Sequence, residues 1–95
     1  MQRGYLFFNL EDRADRRKIA EDIVRLGNGY VPAVEFLKNK YFDARALFDT
    51  RDRKEAMELS DKLRKHKGIK RDSVKVLYTN NWDLMNNIGL ICLNL

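Results

Sequence analysis

The chain has 95 residues, enough for one domain and too few for a second hydrophobic core. Hydrophobic residues make up 44% and charged residues 35%, which excludes a disordered polar chain, and the lone cysteine, Cys92, excludes a disulfide framework and a multi-cysteine metal site. The net charge is +5, and residues 61–75 alone carry that surplus, with Lys62, Arg64, Lys65, Lys67, Lys70, Arg71 and Lys75 against Asp61 and Asp72. Cations in the last turn of a helix are favoured by its dipole, so a structural reason for this surplus comes before a nucleic-acid one.

Met1-Gln2-Arg3-Gly4 runs straight into Tyr5-Leu6-Phe7-Phe8, too short for a secretory leader and without a cleavage site. The apolar stretch Ile88–Leu93 is far below the roughly 20 residues needed to span a bilayer. A cytoplasmic protein without membrane contact is expected.

Tyr5–Leu10 is an aromatic and aliphatic run with β character, apolar on both faces, as suits a central strand. Asp12 is placed to cap a helix, with Asp15 three residues on at its positive end. Ile19, Ile23 and Leu26 recur at i, i+4 and i+7, with Arg16, Arg17, Lys18, Glu21, Asp22 and Arg25 on the other face, and Gly27-Asn28-Gly29 ends this helix. Tyr30–Leu37 reads as a second strand, and Pro32 places it at a strand start or a sheet edge. Asn39-Lys40 is a turn, after which Phe42, Ala44, Ala46 and Phe48 alternate with Asp43, Arg45, Leu47 and Asp49, so the two strands form a hairpin.

Asp52 followed by Glu55 has capping-box spacing, and Ala56, Leu59 and Leu63 give the second helix its buried stripe. Gly68 stops it, with Ile69 as the apolar follow-on. Asp72–Thr79 is the fourth strand. Strand, helix, hairpin, helix, strand is the ferredoxin-like βαββαβ order: an α+β domain over residues 1–79, an antiparallel sheet with two helices on one face. Residues 80–95 form an apolar C-terminal extension, packed on this domain or a partner subunit, in which Ile88–Leu95 suits a fifth strand. With both helices on one side, apolar residues on both faces of the sheet imply that the other side pairs with a second copy or is covered by the extension. A homodimer or higher homo-oligomer through the sheet face is the expectation.

Candidate chemistry is sparse. His66 sits in a cation-rich helix end and reads as exposed, and Cys92, in an apolar run, reads as a buried inert thiol. Asn9-Leu10-Glu11-Asp12 lacks the glycines of a phosphate loop, and Glu11, Asp12 and Asp15 are explained by a solvated helix start. No zinc spacing and no carboxylate pair is placed for acid–base work, so no catalytic residues, metal, cofactor or enzymatic activity are expected. The segment with most content is Lys40-Tyr41-Phe42-Asp43, where Asp43 either fixes a turn or meets a ligand amine.

Phe42-Asp43 followed by Ala44–Phe48, then Asp52, Glu55, Leu59 and Leu63, then Gly68-Ile69 leading into Val74 and Val76, resembles the ligand-sensing and dimerisation (RAM) domain of the leucine-responsive and asparagine-type (Lrp/AsnC) feast/famine regulators. The resemblance covers residues 5 to about 79, with Lys40 where that family has glycine. It implies a dimer paired through its sheets, a stand-alone regulatory domain with no DNA reader of its own, and an amino acid or similar metabolite bound at a subunit interface bordered by Tyr41, Phe42 and Asp43. A second resemblance, through Arg16-Arg17-Lys18 and Asp72-Ser73-Val74-Lys75-Val76, is to the small CRISPR-associated ferredoxin-like subunit of the spacer-integration complex. Asn9 stands where that family carries an aspartate. This alternative implies a nucleic-acid-binding dimer using Arg16, Arg17, Lys65, Lys67, Lys70 and Arg71.

Overall fold

The computed structural model of the chain describes residues 2–38 and 40–78. Strands β1 (Gln2–Phe8), β2 (Ala33–Phe36), β3 (Ala44–Thr50) and β4 (Lys75–Tyr78) and helices α1 (Arg16–Leu26) and α2 (Arg53–Arg64) follow one another as β1-α1-β2-β3-α2-β4, with a 3₁₀ turn at Arg71–Ser73 before β4. The sheet order is β2-β3-β1-β4 and every pair is antiparallel, the ferredoxin-like arrangement. The expected extension over residues 80–95, its fifth strand and Cys92 lie outside the described residues, as do Asn39 and Thr79.

Both helices cover the same side. Ile19 and Ile23 of α1, and Ala56, Leu59 and Leu63 of α2, share one core with Leu6 and Phe8 of β1 and Ala44, Ala46 and Phe48 of β3. The period-2 alternation of β3 puts its small residues under the helices and thereby admits close packing. At Gly4 a Cβ would collide with the Leu77 carbonyl oxygen and stand 2.6 Å from Phe48 Cζ, so β1 passes β4 and the core only as glycine.

Several boundaries differ from expectation for identifiable reasons. β1 ends at Phe8, not Leu10, because side chains take over its hydrogen bonds: Asn9 N–H donates to Ser73 Oγ and Leu10 N–H to Asp43 Oδ2, both at 2.8 Å. The cap of α1 is Asp15, whose Oδ1 accepts from Lys18 N–H, and not Asp12: Ala14 N–H closes a turn on Glu11 O and Arg13 takes φ 65°. Pro32 precedes the edge strand β2, as a residue without an N–H must. Asp52 caps α2 from Glu55 N–H, and Glu55 Oε2 returns to Arg51 N–H. The alternation of the third strand starts at Ala44. Phe42 lies before the strand and packs on the opposite side from Ala44, Ala46 and Phe48.

Candidate functional site

The Tyr41-Phe42-Asp43 segment is fastened by Asn9. Its side-chain amide donates to Tyr41 O at 3.1 Å, and its Oδ1 accepts Asp43 N–H at 2.8 Å. Asp43 in turn accepts Leu10 N–H through Oδ2, and its carbonyl accepts Leu37 N–H at 2.8 Å. The three residues therefore part company. Tyr41 is exposed with Lys40 Nζ 5.3 Å from its ring centre, Phe42 packs against Phe7 with centroids 5.2 Å apart, and the Asp43 carboxylate serves a backbone N–H. The clasp role of Asn9 has no local signature, because its partner lies 34 positions away.

The face of the sheet away from α1 and α2 carries a second apolar cluster. Tyr5 and Phe7 form its centre, with Leu37, Phe42, Leu47 and Leu77 around them. Tyr5 and Phe7 are 4% and 2% exposed within a single chain. The Arg45 guanidinium lies over the Tyr5 ring at 4.3 Å and is held by Glu35 at 2.8 Å, while Arg3 faces Asp49 across β1 and β3 at 3.5 Å. Burial pushes the Tyr5 phenol above the ordinary tyrosine range; Arg45 pulls it down and Glu35 pushes it further up.

The third assembly is the end of the domain where β1 leads into α1 and α2 leads into β4. Leu10 bridges to Ile69, Glu11 N–H donates to Gly68 O at 2.9 Å, and Lys70 N–H donates to Asn9 O at 2.9 Å. These bonds bring Arg16 and Arg17, at the start of α1, to the same end as Lys65, Lys67, Lys70 and Arg71 after α2. A cavity of about 320 Å³ opens between the two loops, lined by residues that include Asp15, Lys18, Asp22, His66 and Lys67.

His66 is not exposed as expected from its neighbours; its side chain is 16% accessible. Gly68 N–H donates to Nδ1 at 2.9 Å, which leaves the ring hydrogen on Nε2, directed at Asp22 Oδ2 at 2.9 Å. His66 thus ties the end of α2 to α1. The hydrogen bond from His66 holds the Asp22 carboxyl below the ordinary aspartate range against partial desolvation, and Arg25 adds to the lowering.

Among the described residues no three His, Cys, Asp or Glu side chains are placed to hold a metal ion, and no helix is long and apolar enough to cross a membrane. Comparison of the chain with protein-family models, with curated proteins and with solved structures gives no match.

Proposed function

We propose that this chain is a small non-catalytic assembly domain that self-associates through the helix-free face of its sheet and senses an amino acid or similar metabolite at the subunit boundary. One observation carries the reading: the ferredoxin-like sheet has an organised apolar cluster on the side its helices do not cover. Since Tyr5 and Phe7 are buried within one chain, the surface offered to a second copy is the half-buried set of Leu37, Phe42, Leu47 and Leu77. The pairs Arg45–Glu35 and Arg3–Asp49 flank it on the same strands and supply polar register. Phe42 links this face to the Tyr41–Asp43 segment, so a ligand at that segment would touch the boundary between copies. This reading agrees with the resemblance to the regulators' sensing domain. The Asp43 carboxylate already serves Leu10, so ligand selection there falls on Tyr41 and on exposed backbone groups.

A thermal-shift series with each of the twenty amino acids tests the sensing half. A ligand at about 100 times its dissociation constant stabilises by roughly 2.7 kcal/mol, which is readily measured. If none shifts the transition, metabolite sensing is lost and self-association alone remains.

A further inference from the structure

The charge of this molecule is segregated. Residues 9–18, 38, 40–44 and 65–75 meet at one end of the sheet, where Phe8 pairs with Ala44, Ala44 with Phe36 and Phe7 with Lys75. These segments hold eleven Lys and Arg residues against five Asp and Glu, a surplus of six in a chain whose total is +5. All eleven cations are exposed. Among the described residues only one of them, Arg17, is in an ion pair, whereas five of the eight Lys and Arg elsewhere are paired with carboxylates.

Helix stability does not explain the pattern. Arg16, Arg17 and Lys18 occupy the first turn of α1, whose positive dipole end disfavours cations, and no acidic residue occupies that turn. Asp15, the cap, offsets one of them. Lys67, Lys70 and Arg71 lie beyond the last turn of α2, where the dipole has faded. Exposed cations left unpaired at one end, from three loops distant in sequence, are what a polyanion requires. Tyr41, with 42% of its surface exposed, stands at the same end, and Val24 and Met57 on the helices are the other exposed large hydrophobics among the described residues. A membrane-binding surface sets Trp, Phe or Leu beside its basic residues, and the described residues carry no exposed one here. A flat aromatic among cations suits stacked bases instead.

We propose that this end binds single-stranded nucleic acid, with Arg16, Arg17, Lys67, Lys70 and Arg71 on the phosphates and Tyr41 as a stacking platform for a base. Arg16, Arg17, Lys67, Lys70 and Arg71 lie apart from the sheet-face set of Leu37, Phe42, Leu47 and Leu77, so the phosphate contacts and the self-association are separable, and Tyr41 is shared with the segment proposed to take a metabolite.

Fluorescence anisotropy with a labelled mixed-sequence single-stranded oligonucleotide, titrated over a range of salt, tests it on the full chain. Log affinity should fall linearly with log salt, by about 0.7 per phosphate contacted. The triple variant Lys67→Gln/Lys70→Gln/Arg71→Gln should bind more weakly with a slope shallower by about 2. Tyr41→Ala should weaken binding by about tenfold and Tyr41→Phe should restore it. Arg25→Gln/Lys54→Gln, in the last turn of α1 and the first turn of α2 at the opposite end of the domain, should bind like the parent. Circular dichroism establishes that each variant is folded. No binding at low salt, equal loss from the loop variant and the remote variant, or binding to phosphatidylserine vesicles without binding to the oligonucleotide would each overturn the proposal.

Discussion

Asp43 Oδ2 accepts the backbone N–H of Leu10 at 2.8 Å, joining two points 33 positions apart in the chain. This bond, with those of Asn9 to Tyr41 and Asp43, ends β1 and starts β3 at the same place. Removing the carboxylate leaves a half-buried N–H without its acceptor. Asp43→Ala should therefore cost about 1–3 kcal/mol in urea unfolding, whatever ligand the segment takes. A variant as stable as the parent would show that the carboxylate is free for another task.

The His66–Asp22 link makes an acid-side prediction. Asp22 has a folded-state pKa below its ordinary value, chiefly through the hydrogen bond from His66. Its contribution is therefore present above the unfolded aspartate value of about 3.9 and is lost as pH falls through the lower folded-state value. The difference in Tm between the parent and Asp22→Asn should be largest above about pH 5 and shrink towards pH 3. Curves that stay parallel over that range would remove Asp22 from the acid response.

Tyr5 gives the opposite sign. Its phenol is held above the ordinary range by burial, so the neutral form is favoured in the folded state. That contribution is complete below the unfolded value of about 10 and is lost as pH rises through the folded-state value. In an alkaline ultraviolet titration of the four tyrosines, one should ionise late, and Tyr5→Phe should abolish that late step. A late step that persists in Tyr5→Phe would assign the shift elsewhere.

Gly4 tests the packing of the central strand. A methyl group there meets the Leu77 carbonyl oxygen and the Phe48 ring, both held by the sheet and the core. Gly4→Ala should destabilise by about 1–3 kcal/mol through overpacking, measured by denaturant unfolding. A neutral substitution would mean that β4 yields without cost.

Much of this fold is legible because period and punctuation agree. Ile19 and Ile23 sit at helical spacing, Ala44 to Phe48 alternate, and Asp52, Gly27 and Pro32 stand at element ends, whereas α2 stops at its cap Lys65, three residues before the Gly68 expected to end it. What local pattern conceals is decided by contacts distant in sequence. Phe42 matches the alternation of β3 but is turned to the other face because Asp43 is tied to Phe8, Asn9 and Leu10. His66 stands among Lys and Arg, yet a neighbour 44 positions away draws it inward. In sequence the surplus of charge reads as one run over residues 61–75, to which resemblance alone adds Arg16 and Arg17, whereas the fold also brings Arg13, Lys18, Lys38 and Lys40 to that end.

The apolar set on the side of the sheet away from α1 and α2 is the feature on which the functional reading rests. Sedimentation equilibrium of the purified chain, from about 10 µM to 1 mM, measures its consequence. The expected result is a mass of at least twice the 11.3 kDa of one chain, falling to one chain in Leu47→Glu with the fold retained. A mass of 11.3 kDa across the whole range, with Leu47→Glu indistinguishable from the parent, would contradict it.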